Sequence, residues 1–201
     1  MNTRIIVSSC PSLVNLKLFI EGYYDTSVHA MTPVKKNQGV GTSITDVEDL
    51  TVELHDASTY TLISSAIGTL QKNGTLAVSF STAPVGSFYV VVRGTNCVGT
   101  WSSSPQTVGS VQLNYDFTTA ATKAYGNNMV QVESGIWAIY SGELSGDDLI
   151  DLQDFTFWEG KYLDFAFGVE PSDLNGDGLV DTQDFTFWEG NYLNFVFEAR
   201  P

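Results

Sequence analysis

The last third of the chain repeats itself, and this repeat constrains the fold more than any other feature of the sequence. Pairing each residue from 141 to 170 with the residue thirty places later gives 17 identities in 30 positions. The copies contain "ELSGDDLIDLQDFTFWEG" and "DLNGDGLVDTQDFTFWEG". Because short repeats cannot bury their apolar faces alone, the two copies are predicted to pack against each other.

The second copy carries oxygen-bearing side chains at the spacing of an EF-hand calcium loop. Calcium is a hard cation that takes six to eight oxygen ligands, and the loop supplies them at positions 1, 3, 5, 7, 9 and 12 with a glycine turn at position 6. In order, these positions are occupied by Asp173, Asn175, Asp177, Leu179 through its carbonyl, Asp181 and Asp184, with Gly178 at the turn. The sequence therefore predicts a calcium site in residues 173–184.

The first copy has the same pattern with weaker ligands. Its positions are occupied by Glu143, Ser145, Asp147, Leu149 through its carbonyl, Asp151 and Asp154. Glu143 is one methylene longer than the usual aspartate, and Asp148 stands where glycine is expected. Aspartate tolerates the left-handed turn better than most residues do. A second, weaker calcium site is therefore predicted in residues 143–154.

Each loop is followed by aromatic residues at helical spacing. The steps of three, four and three residues place them on one face of a helix. The two stripes are Phe155, Trp158, Tyr162 and Phe165, and Phe185, Trp188, Tyr192 and Phe195. Two matching stripes most simply form a shared core, so each loop is predicted to lead into a helix that packs on its counterpart.

Two calcium loops, each followed by a helix, resemble the dockerin fold of secreted bacterial proteins. Aspartate at position 12 also fits that family. Dockerins that bind cohesins commonly carry a small hydroxyl pair at positions 10 and 11 and a basic pair further along, whereas this chain has Leu152 and Gln153, then Thr182 and Gln183. The resemblance implies docking to a cohesin-like partner as one candidate function.

Charge divides the chain near residue 141. Residues 1–140 carry nine acidic and seven basic side chains, whereas residues 141–201 carry fourteen and two, so most of the net charge of -14 lies in the repeat. Aromatic and aliphatic residues are interleaved with these acids, which is typical of a folded module and not of a disordered tail. The negative charge argues against a nucleic-acid partner.

The first 140 residues have the pattern of β structure. Segments such as "DLTVELHDA", "GTLAVSF" and "GSFYVVVRG" alternate or are β-branched, with Gly, Asn, Ser and Pro between them. Asn73 and Gly74 predict a hairpin turn. The predicted fold is an immunoglobulin-like β-sandwich followed by a small α-helical, dockerin-like calcium module, divided into an arm (1–13), the sandwich (14–140) and the module (141–201).

The combination of "KLFIEGYY", "PVKKNQG", "VELHDA" and "KAYGNN" with the paired loops resembles a C-terminal module of large surface proteins of Bacteroidetes-type bacteria. That resemblance implies adhesion, display or scaffolding, with a protein or a surface glycan as partner. The two histidines, His29 and His55, belong to no recognisable nucleophile or zinc motif, so no enzyme is predicted. Buried packing is favoured over sugar stacking for Tyr23, Tyr24, Trp101 and Trp137 of the sandwich.

The place where the protein works follows from its calcium loops. Such loops fill at millimolar calcium, which predicts an extracellular or cell-surface location. No membrane span and no signal-peptide apolar run is found, so we also consider a bacteriophage decoration or fibre protein that meets calcium after lysis, with a capsid as its partner. Cys10 and Cys97 either form a disulfide or stay free.

Overall fold

A computed structural model describes residues 11–81 and 85–201. Within these ranges, twelve strands, one short α-helix and three 3-10 helices, which carry no label, come first, followed by two longer α-helices. In chain order the elements are β1 (Ser12–Lys17), β2 (Tyr24–Asp25), β3 (Ala30–Met31), α1 (Val34–Asn37), β4 (Asp46–Asp56), β5 (Leu62–Gln71), β6 (Thr75–Phe80), β7 (Gly86–Arg93), β8 (Thr100–Trp101), β9 (Gln106–Val108), β10 (Leu113–Asp116), β11 (Val130–Glu133), β12 (Ile136–Ala138), α2 (Leu152–Leu163) and α3 (Thr182–Leu193).

The main strands form two sheets that face each other. One sheet has the order β10-β1-β6, with β1 parallel to β10 and antiparallel to β6. The other has the order β5-β4-β7-β8, and β9 also pairs with β7. In β6 the side chains of Leu76, Val78 and Phe80 are buried while the residues between them are exposed, because successive side chains of a strand point to opposite faces. The predicted fold class, a mainly β sandwich followed by a small helical module, is confirmed.

The turn at Asn73 and Gly74 forms, but it does not make a hairpin. Gly74 has a φ of 86° and its N–H donates to the Gln71 carbonyl at 2.7 Å. Its two flanking strands, however, pair with different partners, β5 with β4 and β6 with β1. The hairpin prediction is wrong because the turn carries the chain from one sheet to the other.

The boundary of the sandwich differs slightly from the predicted one. β1 begins at Ser12, so residues 12 and 13 of the predicted arm belong to a sheet. Cys10 and the rest of the arm lie outside the described residues, and Cys97 is a buried thiol. Of the four aromatic residues considered for sugar stacking, Tyr23 and Trp101 are buried and Tyr24 and Trp137 are half-buried.

The two helices of the module begin alike. Asp151 and Asp181 are the N-caps: the side chain of each accepts a hydrogen bond from the backbone two residues on, and each pairs with an aspartate three residues later in a capping box. Leu149 pairs with Phe197 and Leu179 with Phe167 in short bridges, so the start of each helix lies near the end of the other.

The helices also end alike, in a way that the stripes did not predict. The Ala166 N–H donates to the Lys161 carbonyl and the Phe165 N–H to the Tyr162 carbonyl, which is the Schellman pattern, and the bonds after α3 repeat it. Phe165 and Phe195 therefore adopt the left-handed conformation, with φ of 52° and 53°. Both side chains point to solvent, so their predicted place in the core is wrong.

Of the other six stripe residues, five are buried or half-buried in the shared core, whereas Tyr162 is exposed at its edge. Phe155 lies 5.1 Å from Trp188 between ring centroids, and Trp158 lies 5.1 Å from Phe185. Tyr162 and Tyr192 stack on the tryptophan of their own helix at 4.9 Å. The sandwich contributes Val98 to the same cluster, so the module shares its core with the domain before it. None of the described helices is long and apolar enough to cross a membrane.

Candidate metal centres

The second loop is organised around two buried carboxylates at positions 1 and 12. Asp173 accepts hydrogen bonds from the backbone N–H groups of Asp177 at 3.1 Å and Gly178 at 3.0 Å. Asp184 accepts from Leu174 at 2.7 Å, Asn175 at 3.0 Å and Asp181 at 2.8 Å. Both carboxylates are fully buried. The loop backbone thus wraps the two acids that the spacing identified.

The remaining predicted ligands of this loop lie at its surface. Asn175 Oδ1 accepts from the Asp177 N–H at 2.9 Å, and Asp177 Oδ1 accepts from the Leu179 N–H at 2.9 Å. Asp181 accepts from the Gln183 N–H at 2.7 Å as the N-cap of α3. The structure therefore gives Asp181 a helix-capping role that the loop spacing did not reveal.

The first loop repeats this arrangement. Glu143 Oε1 accepts from the Gly146 N–H at 2.6 Å, from the Asp147 N–H at 3.3 Å and from the Ser145 hydroxyl at 3.1 Å. Asp154 accepts from three backbone N–H groups, including that of Asp151 at 2.7 Å. The longer side chain of Glu143 therefore occupies the same position as Asp173 does in the second loop.

Three further aspartates of the first loop make defined hydrogen bonds. Asp147 accepts from the Leu149 N–H at 3.0 Å, and Asp151 accepts from the Gln153 N–H at 2.6 Å. Asp148, which replaces the turn glycine, has a φ of 69°. Its carboxylate leaves the loop and accepts a hydrogen bond from Arg93 of β7 at 2.9 Å. The non-glycine residue thus makes a contact that glycine cannot make.

The electrostatics of both loops favour a bound cation. Glu143, Asp154, Asp173 and Asp184 are buried, yet no ion pair among the described residues reaches any of them. Burial raises the pKa of all four groups, and it raises the pKa of Asp184 to about 7. Burying a carboxylate without a compensating positive charge costs several kcal/mol, which is on the order of the net folding stability of a whole domain.

The donor set also fits calcium in kind. Every predicted ligand is a carboxylate, an amide, a hydroxyl or a backbone carbonyl, which are the oxygen ligands that a hard cation takes. The carboxylates lie against their own loop backbone, and no three Asp, Glu, His or Cys side chains in the described ranges gather at metal-ligand spacing. The fit therefore rests on the loop order, the oxygen chemistry and the uncompensated charge.

The sandwich holds the second loop directly. The Gln38 amide donates to Asp173 Oδ2 at 3.0 Å, and the Asn37 amide donates to the Gly176 carbonyl at 2.8 Å. A Cβ at Gly176 would lie 2.4 Å from a methyl carbon of Val34, so only glycine fits. These contacts come from α1 and the residue after it. The sequence could not reveal them, although "PVKKNQG" contains the residues that make them.

One helix of the module presents a bare apolar face. The side chains of Leu152, Phe157 and Leu163 in α2 are 59%, 51% and 64% exposed. At the equivalent positions α3 has the polar Thr182, the half-buried Phe187 and the exposed Leu193. The sandwich also covers Asn191 of α3, whose amide donates to Glu21 at 2.6 Å and to the Ser141 carbonyl at 2.8 Å. The near-identical helices thus differ in what they leave accessible.

Comparison with known proteins agrees with this architecture. No protein-family model and no curated protein sequence matches the chain. A chain in the crystal structure of a type II cohesin–X–dockerin complex from Acetivibrio cellulolyticus, an N-terminal interface mutant, has a TM-score of 0.53 and 12% identity, covering 90% of this chain and 95% of that chain. The C-terminal interface mutant of the same complex matches with a TM-score of 0.49 and 15% identity over the same shares.

At this level of identity the similarity concerns the fold. A β-sandwich followed by a module of two helices corresponds to the X-module and dockerin arrangement. The predicted dockerin-like architecture is therefore supported along nearly the whole chain, beyond the repeat from which it was inferred.

Proposed function

We propose that this protein is a non-enzymatic docking module, stabilised by calcium, that binds a cohesin-like protein partner through the outer face of α2. The exposed apolar face of that helix carries the proposal. Large apolar side chains left exposed together on one helix cost solvation free energy and mark interaction sites. The architecture, which matches a chain from a cohesin–X–dockerin complex, supports a partner of this kind.

The shape of the α2 face suits a flat protein surface. Leu152 and Leu163 lie eleven residues apart and so point in nearly the same direction, whereas Phe157 lies about 140° further round the helix. Between them stand Thr156 and Gly160, which are small. The face is turned away from Phe155 and Trp158 in the core, so the partner would bind without disturbing the packing of the module.

Position 10 of the first loop indicates how this docking differs from the common pattern. Leu152 stands where cohesin-binding dockerins commonly have a small hydroxyl residue, and it opens the apolar face. A partner matched to this protein would therefore present apolar side chains at that point, not hydrogen-bonding groups. Specificity would come from this difference, because a polar partner surface would lose its hydrogen bonds against leucine.

The proposal gives each loop one calcium ion. The ligands would be the side chains of Asp173, Asn175, Asp177, Asp184 and, through water, Asp181, with the Leu179 carbonyl. In the first loop they would be Glu143, Ser145, Asp147, Asp154 and, through water, Asp151, with the Leu149 carbonyl. When bound, the ions supply positive charge to the buried carboxylates. Loops of this class fill at the calcium concentrations outside cells, so the proposed location is extracellular or at a cell surface.

The function can be tested with recombinant cohesin domains from the source organism of this chain. Surface plasmon resonance of the full chain should show binding in calcium that is lost in chelator. The double variant Leu152→Glu, Phe157→Glu should abolish binding and keep the melting temperature, because both side chains are exposed. Thr182→Glu, at the position in α3 equivalent to Leu152, is the matched control and should bind normally. Equal binding by the double variant would contradict the proposed surface.

A further inference from the structure

A pocket of about 270 Å³ lies where the sandwich meets the module, away from the α2 face. Its apolar walls include Val34, Val40 and Val47 from the sandwich and Val169 and Pro171 from the segment between α2 and the second loop. Glu48 and Asn96 line it as well. The pocket therefore combines an apolar wall with polar atoms from the first domain.

Two residues that line this pocket each have a buried oxygen atom with no hydrogen-bond partner among the described residues, Glu48 Oε2 and Asn96 Oδ1. Asn96 is 1% exposed. Its amide nitrogen donates to the Tyr23 hydroxyl at 2.9 Å and to the carbonyls of Pro171 at 3.1 Å and Asp173 at 3.3 Å. Carbonyls only accept hydrogen bonds, so the amide cannot be reversed and its oxygen stays unpartnered.

Glu48 is constrained in a similar way. Its Oε1 accepts from the backbone N–H of Thr95 at 2.7 Å and from the hydroxyl of the same residue, which leaves Oε2 free. Unpaired buried acceptors are rare and costly in folded proteins. Two of them on neighbouring residues of one pocket wall point to a ligand with several hydrogen-bond donors.

The charges around the pocket determine the sign of that ligand. Three acidic residues line it, Glu48, Asp49 and Glu170, against one basic residue, Lys35. Lys35 is paired with Asp49 at 2.6 Å, and Glu170 is paired with Lys161. Glu48 alone has no basic partner among the described residues. A ligand with a positive head and an apolar stem complements this arrangement.

We propose, resting on the docking function above, that this pocket binds the side chain of a lysine from the protein partner, with its ammonium group donating to Glu48 Oε2 and Asn96 Oδ1. An ammonium group has three donors and a flexible four-carbon stem, which matches two acceptors and an apolar wall. A guanidinium prefers two oxygens of one carboxylate, and Glu48 offers only one. Calcium would need six to eight oxygens, and two are free.

Lysine binding by the pocket can be tested without the protein partner, so the result of this experiment does not depend on the result of the docking experiment. The calcium-loaded full chain, labelled with nitrogen-15, is titrated with Nα-acetyl-lysine N-methylamide while the amide signals of Thr95 and the Asn96 side chain are followed. These signals should shift saturably. The norleucine analogue, which has the same stem without charge, should leave them unchanged.

Three variants test whether the lysine analogue binds in this pocket. Glu48→Gln should weaken binding of the lysine analogue by about tenfold or more, the range found when one partner of a buried charged contact is removed. Asp46→Asn removes the same charge from the same strand outside the pocket and should bind like the parent. Val40→Trp, at an exposed rim position, should block entry and keep the melting temperature, which covers the case in which Glu48→Gln does not fold.

Several results would overturn the proposal. Equal shifts with norleucine would show a merely apolar pocket, and tighter binding of the arginine analogue would show a guanidinium site. A third equivalent of calcium that Glu48→Gln abolishes would show a metal site. An absence of any shift at tens of millimolar lysine analogue, about the weakest affinity of a useful contact, would remove the site altogether.

Discussion

Arg93 of β7 joins the sandwich to the first loop by donating from Nη1 to Asp148 at 2.9 Å. The same guanidinium donates to both carboxylate oxygens of Glu198, at 3.1 and 3.0 Å, and from Nε to Glu53 at 3.1 Å. Glu198 also accepts a hydrogen bond from the Trp101 indole. One side chain therefore links β4, the first loop and the segment after α3.

Replacing Arg93 should destabilise the contact between the sandwich and the module. Arg93→Ala leaves Glu198 buried without its cation, and breaking a partly buried pair of this kind costs about 2 kcal/mol or more. Lys35→Ala removes an ion pair whose Asp49 partner is exposed, which is worth less than about 1 kcal/mol. Urea unfolding of both variants measures the difference. Equal destabilisation would show that the Arg93 network contributes no more than a surface pair.

Calcium should stabilise the folded chain. A ligand that binds only the folded state adds RT ln(1 + [L]/Kd), about 2.7 kcal/mol at a hundredfold excess over Kd. The melting temperature should therefore rise with added calcium and fall after its removal. An Asp173→Asn, Asp184→Asn variant should lose most of this increase. A transition that does not move with calcium would contradict the two-ion proposal.

The calcium-free protein should also respond to pH in a defined direction. Burial raises the pKa of Asp184 from 3.8 to about 7 in the folded state, so the folded state binds the proton more tightly than the unfolded chain does. The stability from this group is present below about pH 4 and is lost as the pH rises to about 7. Thermal melting across this range should show the fall, and Asp184→Asn should flatten it. A melting temperature that rises over the same interval would show that other groups dominate.

The two ion sites should differ in affinity. Asp177→Ala removes a position-5 ligand from the second loop, and Asp147→Ala removes the equivalent ligand from the first loop. Calorimetric titration with calcium should lose the tighter event in the first variant and the weaker event in the second. The reason is that Glu143 and Ser145 replace the better ligands Asp173 and Asn175. Equal affinities in the parent would contradict this ranking.

Phe165 offers a test in which stability and binding should change in opposite directions. Its left-handed backbone costs about 1–2 kcal/mol for a non-glycine residue. Phe165→Gly should therefore stabilise the fold by about 0.5–1 kcal/mol. Because the side chain is 85% exposed beside Leu163, at the end of the proposed docking face, the same variant should weaken partner binding.

The alanine variant at this position separates the two effects. Phe165→Ala removes the same aromatic ring and keeps the backbone cost, so it should weaken binding equally without gaining stability. Chemical unfolding and surface plasmon resonance together check both variants. A glycine variant that is no more stable than the alanine variant would show that the turn carries no backbone cost.

The features that depend only on the spacing of residues within one segment were predictable from the sequence. The wrapping of each loop around the acids at positions 1 and 12 and the core packing of Phe155, Trp158, Phe185 and Trp188 follow from the order of residues along one short segment. The prediction that the stripes lie in the core was wrong at Phe165 and Phe195, because the helical spacing of aromatic residues continues in the sequence after the helix has ended. No residue in either copy of the repeat indicates that a Schellman turn falls there.

Contacts between distant segments were not predictable. Only the end of β5, before the predicted hairpin turn, was expected as a strand, because most of β5 is a half-exposed edge strand whose Ile67 is 73% exposed. The pairing of Arg93 with Asp148 joins residues 55 positions apart, and that of Gln38 with Asp173 joins residues 135 apart. Such pairs depend on how the two domains meet, which no single segment encodes.

The covered amide of Asn191 has a consequence for the geometry of any complex. A half-turn of a module with two near-identical helices puts each helix in the place of the other. A partner can then bind such a module in either of two opposite orientations. Here the sandwich covers one flank of α3 and leaves the same flank of α2 open. A partner that docks as proposed above would therefore bind with a single polarity, which fixes the direction in which the sandwich projects from the complex.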